Sequence, residues 1–247
     1  MSPDAHASGF VATTVDPLRY DGQPNDPDEV VGIVCSLVPF EARVLDIGCG
    51  TGSVSEHVVH TRRASLVGIE PDQARAKRAR ERGLTVHAAF PTEELLDTLG
   101  KFDVVLLADV LEHLADPFSL VTLARRALDA GGRVIASVPN VAHWSVRYDL
   151  ARGRFEYRDS GIMDATHLRW FTEAGARLLF ERAGFTVESI QPTAGYELQV
   201  YWERWPWRRF SMSARRRLVR GALRRWPRLF ACQWVVEATP RNAAGLA

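Results

Sequence analysis

Between residues 43 and 139, short apolar segments alternate with segments of helical pattern, and this alternation constrains the fold more than any other feature of the chain. We predict strands at Arg43–Ile47, Leu66–Glu70, Thr85–Phe90, Phe102–Asp109 and Arg133–Pro139. Helices are predicted between them at Ser53–Arg63, Asp72–Arg82 and Asp116–Leu128. Because consecutive parallel strands need a crossover connection, the alternation predicts a parallel sheet with helices on both faces. Ligands of such sheets bind beyond the carboxyl ends of the strands.

Outside that region the pattern changes. Before it, a helix is predicted at Asp28–Val38. After it, an irregular polar and aromatic stretch runs from about 141 to 171. We then predict a helix at Thr172–Ala183 and strands at Phe185–Gln191 and Leu229–Ala238. A length of 247 residues fits one substantial domain, which we place at 20–247 with a cap or insertion at about 203–228. Residues 1–19 lack the basic and apolar regions of a signal peptide, so we expect a disordered N-terminal tail.

Composition adds few constraints on function. The net charge of +1 selects no class of partner. The three cysteines, Cys35, Cys49 and Cys232, contain no CxxC pair, which favours a reducing compartment over a disulfide or zinc framework. No uncharged apolar run approaches the roughly 20 residues that a membrane span needs. We therefore expect a cytoplasmic protein.

A glycine-rich turn follows the first predicted strand, in the run VLDIGCGTG at positions 44–52. Glycines allow the backbone to approach a ligand closely and to adopt positive φ. One acid, Asp46, precedes the turn, and a second, Glu70, ends the next strand, where a carboxylate suits two ribose hydroxyls. The two acids argue against a plain glycine turn, while an NAD-type Rossmann domain, which also places an acid at the end of its second strand, stays an alternative.

These residues resemble the class I S-adenosylmethionine (SAM) dependent methyltransferases. The resemblance implies an α/β fold: a doubly wound, seven-stranded, Rossmann-like sheet of order 3-2-1-4-5-7-6 with a small helical cap. It also implies SAM as cofactor, bound around Asp46, Gly48, Cys49, Gly50, Thr51, Gly52, Glu70, Pro71, Phe90, Ala108 and Asp109. Asp46 would lie near the amino-acid end, Glu70 at the ribose and Pro71 against adenine. Relatives often place an acid after the third strand; this chain has Phe90 there, so adenine recognition is assigned to Phe90 and backbone groups.

The fourth predicted strand runs into a segment that contains two acids and a histidine. Asp109, Glu112 and His113 stand at i, i+3 and i+4, so one helical face would carry all three. Two carboxylates and an imidazole can together bind a divalent cation. The alternative is that Glu112 and His113 are hydrogen-bonded scaffold residues near SAM, without a metal.

Two later motifs favour the cation. Pro139-Asn140 follows the fifth strand, and the run DATHLRWFT occupies 164–172. With the first segment they resemble small-RNA 2′-O-methyltransferases, in which the corresponding acids and histidines hold a divalent metal. Ubiquinone-biosynthesis O-methyltransferases share a similar first segment. The resemblance implies that Asp109, Glu112, His113 and His167 are ligands for Mg²⁺ or Mn²⁺, although aspartate at 109 has a shorter reach than the usual glutamate.

Methyl transfer to an alcohol requires an aligned acceptor and the loss of its proton. A bound cation can favour the alkoxide, and a nearby histidine can act as general base. His143 and His167 are the predicted catalytic histidines; for His143, a structural role beside Trp144 is an equal alternative.

The acceptor is predicted from resemblance alone. The run from Val138 to Thr172 resembles methyltransferases of bacterial polysaccharide and glycan pathways, which implies O-methylation of a saccharide or glycoconjugate hydroxyl. The alternatives are RNA 2′-O-methylation, O-methylation of a small molecule such as a natural product or quinone, and a SAM-binding module without activity. Nothing in the sequence determines the oligomeric state.

An arginine- and tryptophan-rich segment covers Arg204–Arg228, and all of its ionisable side chains are arginines. Ser213 is predicted to cap a helix that extends to Arg225. A basic amphipathic helix of this kind can lie on an anionic membrane surface, which would place the protein peripherally at the inner membrane. The alternative is a solvated cap. Nucleic acid is the least favoured partner because no recognised RNA-binding module accompanies the arginines.

Overall fold

A seven-stranded sheet organises the protein in the computed structural model, which describes residues 16–18, 20–23 and 25–241. Its strands are β1 Arg43–Ile47, β2 Ser65–Ile69, β3 Thr85–His87, β4 Phe102–Ala108, β5 Leu128–Pro139, β6 Phe185–Pro192 and β7 Gln233–Pro240. The order is β3-β2-β1-β4-β5-β7-β6, as predicted. Neighbours among β1–β5 are parallel, whereas β7 is antiparallel to both β5 and β6. The carboxyl ends of β1, β4 and β5 therefore meet at one edge.

Helices connect the strands and form the outer layers. They are α1 Val30–Leu37, α2 Ser53–Arg62, α3 Gln73–Glu81, α4 Glu93–Leu99, α5 Pro117–Ala127, α6 Trp144–Ala151, α7 Glu173–Arg182, α8 Val200–Glu203, α9 Met212–Arg225 and α10 Pro227–Phe230. At the start of α5, Asp116 accepts hydrogen bonds from the backbone of Phe118 and Ser119, and Pro117 is the first helical residue. This N-terminus confirms the prediction, because aspartate caps the free N–H groups and proline needs none.

The central strand β4 is buried on both faces. Val105 and Leu107 pack in one hydrophobic cluster, whereas Val104 and Leu106 pack in another on the opposite face. All four side chains have no exposed surface. Because successive strand residues point to opposite faces, a continuous apolar run is what a strand covered by helices on both sides requires.

Four helices were not predicted from the sequence: α4, α6 and the four-residue helices α8 and α10, the last of which includes the start of the strand predicted at Leu229–Ala238. Helix α4 has seven residues and buries only Leu96, so it carries little apolar periodicity. Helix α6 lies within the stretch predicted to be irregular and buries only Val146. Both are too short and too weakly amphipathic to show a period of 3.6 residues. The third strand is also shorter than predicted, ending at His87.

The segment between β6 and β7 forms the helical cap, with α8, a 3₁₀ turn at Trp207–Arg209, α9 and α10. Helix α9 is capped by Ser211, whose hydroxyl accepts a hydrogen bond from the backbone of Ala214; the predicted cap, Ser213, lies inside the helix. Within the described residues, no helix is both long enough and apolar enough to cross a membrane. Of the predicted N-terminal tail, residues 1–15 and 19 lie outside the described residues.

Candidate active site

A cavity of about 330 Å³ opens beyond the carboxyl ends of β1, β4 and β5. Among the residues predicted to function, those that line it are Gly48, Cys49, Gly50, Thr51, Ala108, Asp109, Glu112, His113 and His167. Those that do not line it are Asp46, Gly52, Glu70, Pro71, Phe90 and His143. The glycine turn and the acid–histidine segments therefore share one cavity, as expected for the ligand edge of such a sheet.

The glycine turn that follows β1 requires glycine for two reasons. Gly48 and Gly50 have φ values of 78° and 56°, which lie in the left-handed region that other residues rarely adopt. A Cβ atom on Gly48 would lie 2.6 Å from Cγ2 of Val110. The turn therefore presents bare backbone to the cavity, an arrangement that fits the close approach of a cofactor.

Glu70 supports this turn from the end of β2. Its two carboxylate oxygens accept hydrogen bonds from the backbone N–H groups of Gly50 and Asp72, each at 2.9 Å, and the residue is 4% exposed. Each carboxylate oxygen has a second lone pair, so both could also accept from a ribose. Pro71 and Phe90 are exposed, and the ribose and adenine assignments stay predictions.

Asp46 lies beneath the glycine turn, on β1. Ser55 Oγ donates a hydrogen bond to one carboxylate oxygen, and the other oxygen has no partner among the described residues. The side chain is 1% exposed, and burial raises its pKa to about 7. An unsatisfied buried acceptor next to a bare turn fits a ligand that carries hydrogen-bond donors, such as the ammonium group of an amino acid.

The raised pKa of Asp46 predicts a pH-dependent stability. Because the folded pKa lies above the unfolded value of about 3.9, this carboxyl favours the folded state below about pH 4, and that contribution is lost as pH rises to about 7. We expect Asp46→Asn to remove this dependence, which is at most about 1.4 kcal/mol per pH unit. Urea unfolding of the ligand-free protein from pH 4 to 8 measures it. An identical pH slope in the parent and the variant would contradict the assignment.

Asp109 follows β4 in a strained backbone conformation, with a φ of 55°. Its carboxylate accepts hydrogen bonds from Ser137 Oγ and Gln233 Nε2, both at 2.6 Å, and burial raises its pKa. Only Leu111–His113 is helical here, so the prediction that one helical face carries Asp109 is wrong. The left-handed residue points the chain in a new direction before the 3₁₀ turn begins.

Glu112, His113 and His167 form the cluster with metal-ligand chemistry. One potential ligand atom from each lies within 4.8 Å of the others, and Asp109 is outside this set. Glu112 is 1% exposed, and its Oε2 has no hydrogen-bond partner among the described residues. Burial, with the nearby Asp109 carboxylate, raises the pKa of Glu112 well above its usual range. A buried carboxylate so placed requires either a proton or a cation.

Backbone contacts determine the orientation of both histidines. The Nδ1 atoms of His113 and His167 lie 3.2 Å and 3.0 Å from the carbonyl oxygens of Thr166 and Ile162, respectively. A ring nitrogen facing a carbonyl donates its proton, so the lone pair of each neutral imidazole is on Nε2. Second hydrogen bonds of this kind are typical of metal-binding histidines.

The loop that carries His167 is attached to the 3₁₀ turn that carries Glu112. The carbonyl oxygen of Glu112 accepts hydrogen bonds from the backbone N–H groups of Leu168 and Arg169, at 2.7 Å and 3.0 Å. These bonds bring together residues more than 50 positions apart in the sequence. They also explain how the cluster is held in place by backbone as well as by side chains.

The N-terminal segment supplies cavity residues that the sequence interpretation missed. Tyr20 lines the cavity, and its hydroxyl donates a 2.6 Å hydrogen bond to Asp164. Glu29 also lines it and accepts from the backbone of Gly195 and Tyr196, while burial raises its pKa to about 7. No local motif marks these residues, because their partners lie more than 140 positions away.

His143 occupies a different environment from the other histidines. It has no exposed surface, and its ring nitrogens lie 2.8 Å from Ser145 Oγ and 3.1 Å from Tyr201 Oη. Burial lowers its pKa to about 3. Since both nitrogens are engaged and the ring is away from the cavity, the geometry favours the structural alternative over proton transfer.

Comparison with curated proteins gives partial matches to O-methyltransferases. Proteins described as "Ubiquinone biosynthesis O-methyltransferase" from Cereibacter sphaeroides and Pseudomonas aeruginosa are 40% and 38% identical to this chain over 109 and 104 residues. These matches cover 42% and 40% of this chain, and 44% of each relative. The chain therefore spans less than half the length of these relatives.

Solved structures share the fold at low sequence identity. A SAM-dependent methyltransferase from Archaeoglobus fulgidus has a TM-score of 0.56 at 21% identity, over 84% of this chain and 93% of that one. One from Geobacter sulfurreducens, in complex with S-adenosyl-L-homocysteine, has a TM-score of 0.55 at 15% identity, over 90% and 95%. A family profile described as "Methyltransferase domain" matches residues 6–190, about three quarters of the sequence. The chain therefore belongs to the methyltransferase domain family, with the fold of the class I SAM-dependent enzymes.

Proposed function

We propose that the protein transfers the methyl group of SAM to a hydroxyl of a small molecule, with a divalent cation bound by Glu112, His113 and His167. The observation that carries this proposal is the shared cavity: the glycine turn and the acid–histidine cluster both line it. A cofactor on the turn and an acceptor on the cluster would therefore be neighbours. Close, oriented reactants are the main requirement of a displacement reaction.

The cofactor side of the proposal rests on the glycine turn. SAM would supply an electrophilic methyl group on a sulfonium. Gly48 and Gly50 leave room for its amino-acid portion, and Asp46 offers an unsatisfied acceptor beneath the turn. Support also comes from the structural neighbour in complex with S-adenosyl-L-homocysteine, whose fold this chain shares.

The acceptor side rests on the chemistry of the cluster. One carboxylate and two imidazoles form a mixed oxygen and nitrogen set, which suits Mn²⁺ better than Mg²⁺, a cation that prefers oxygen ligands. A cation there would supply positive charge that lowers the pKa of an acceptor hydroxyl. The buried carboxylate of Glu112 would balance part of that charge.

For the acceptor class, the comparisons favour a small molecule over the saccharide predicted from resemblance. The curated relatives are described as ubiquinone biosynthesis O-methyltransferases, and none of those quoted above is described as acting on a saccharide. We therefore propose an acceptor with two adjacent hydroxyls, such as a catechol, because adjacent oxygens can share one cation.

Labelled methyl transfer tests this proposal. We expect transfer from radiolabelled SAM to a catechol with Mn²⁺, less with Mg²⁺, and little after exhaustive chelation. A phenol with a single hydroxyl is the matched control acceptor and should be methylated poorly. Methylation of a saccharide or RNA fraction but not of the catechol would contradict the acceptor class. SAM binding without transfer to any acceptor would instead indicate a binding module.

Undiminished catechol methylation in chelator would remove the cation from the proposal. His167 would then be the candidate general base, because it lines the cavity and its Nδ1 faces the carbonyl oxygen of Ile162, which leaves Nε2 as the accepting nitrogen when the ring is neutral. A positioned histidine typically accelerates such a step about 10²- to 10⁴-fold.

A further inference from the structure

The ten arginines of the helical cap form two sets, which differ in whether the side chain has a partner within the protein. Five of them have specific partners within the protein. Arg204 pairs with Asp149, Arg216 with Asp26, Arg220 with Asp28 and Arg228 with Glu173, while Arg215 is buried, with its guanidinium 4.1 Å from the Trp202 ring centroid. The pairs made by Arg216 and Arg220 attach α9 to the segment that precedes α1. In this inner set, the four ion pairs attach the cap to the domain, while Arg215 packs within the cap.

The other five arginines are exposed and form no ion pair with any described residue. They are Arg208, Arg209, Arg217, Arg224 and Arg225. Arg217 and Arg224 are seven positions apart on α9, so they lie on the same outward helix face. The guanidinium carbon of Arg225 lies 5.4 Å from the centroid of the Trp226 ring. No acidic residue occurs between 204 and 228, and the acids that reach the cap from elsewhere pair with other arginines, so this outer set leaves uncompensated positive charge on the cap of a protein of net charge +1.

An apolar groove of about 380 Å³ lies on the cap, and one of these outer arginines, Arg217, lines it. Pro206, Trp207 and Phe210 form one wall, and Leu218, Ala222 and Trp226 form the other. The groove is flanked by Arg217, and Leu218 and Trp226 are about half exposed. Trp205, next to the groove, is 70% exposed. Large apolar side chains and guanidinium groups therefore share one surface.

We propose that this surface, formed by the outer arginines and the apolar groove, binds an anionic lipid bilayer peripherally. Anionic headgroups complement the arginines, and the groove and exposed indoles suit the boundary between headgroups and acyl chains. A nucleic acid would match the charge and could stack on the indoles, but the aliphatic side chains of the groove, Leu218 and Ala222, would offer it no partner. A protein partner would need an acidic face with an apolar centre.

Vesicle sedimentation at low salt tests the proposal. We expect the full chain to bind vesicles that contain phosphatidylglycerol and not vesicles of phosphatidylcholine alone. Arg217→Gln/Arg224→Gln should weaken the partition about 30-fold, because each basic residue near an anionic surface contributes about fivefold. Added salt should weaken binding further as the Debye length shortens. Neither residue lines the active-site cavity, so SAM affinity should not change.

The matched control is Lys77→Gln/Arg182→Gln, which removes the same charge from two exposed helical residues outside the cap. It should bind vesicles nearly as well as the parent protein. If both variants lose vesicle binding equally, binding depends on the total charge of the protein, and the proposal is overturned. Absence of parent binding to anionic vesicles would also overturn it, as would binding to RNA but not to vesicles.

Discussion

Glu112→Gln is expected to lower Mn²⁺-stimulated methyl transfer about 100-fold or more, because a neutral amide is a poor cation ligand and removes charge from the cluster. Glutamine has nearly the same shape as glutamate. Since Glu112 is buried with a raised pKa, the loss of its charge should not unfold the protein. SAM affinity should therefore stay within about twofold, because the glycine turn is untouched. Steady-state methylation and calorimetric binding of Mn²⁺ and SAM measure these effects.

The control for this variant is Glu197→Gln, the same substitution at an exposed carboxylate that lines the cavity outside the cluster. It should retain Mn²⁺ binding. His167→Gln should lose Mn²⁺ binding as Glu112→Gln does, because both residues belong to one ligand set. If Glu112→Gln binds Mn²⁺ as tightly as the parent protein, the carboxylate is not a ligand, and the cluster is a hydrogen-bonded scaffold.

The sheet was predictable because its signal is local and repeated. The apolar run in β4 and the glycine turn after β1 each show their structure within ten residues. The alternation of strands and helices then predicts that β1–β5 are parallel. The position of β7 between β5 and β6 was predicted from the family resemblance. Helices α4 and α6 were missed because each buries a single residue, which leaves no period to detect.

The candidate site was predictable in part. Glu112, His113 and His167 come together as predicted, because hydrogen bonds from Leu168 and Arg169 attach the later loop to the 3₁₀ turn. The spacing i, i+3, i+4 wrongly placed Asp109 on one helical face with Glu112 and His113. Asp109 itself has a left-handed backbone conformation at the end of β4, so the chain is not helical there. Sequence composition could not show this, because the strain depends on the tertiary contacts with Ser137 and Gln233.

The two sets of arginines show a similar limit. In the sequence all ten arginines of the cap look alike, and a count of charges would assign all of them to one surface. The partners that distinguish them, Asp26, Asp28, Asp149 and Glu173, lie far away in the chain. Only the packing of the cap on the domain separates the arginines that stabilise it from those that face outward.

Glu70→Ala is expected to weaken SAM binding about 10- to 150-fold, through the loss of charge-assisted hydrogen bonds worth about 1.5–3 kcal/mol. The structure adds a second effect. Because Glu70 accepts from the backbone N–H groups of Gly50 and Asp72, alanine leaves both donors without their acceptor and should lower the free energy of unfolding by about 1–3 kcal/mol. Calorimetry with SAM and urea unfolding measure the two effects separately.

Glu70→Gln distinguishes a role in binding from support of the turn. Its one carbonyl oxygen can accept from a single backbone N–H, so more stability should remain than in Glu70→Ala, while two ribose hydroxyls lose their paired acceptors. Asp72→Asn is the matched control: asparagine still caps α3 through the hydrogen bond from Arg75, so SAM affinity should not change. Parent-like SAM affinity in folded Glu70→Gln and Glu70→Ala proteins would show that Glu70 shapes the glycine turn without binding the ribose.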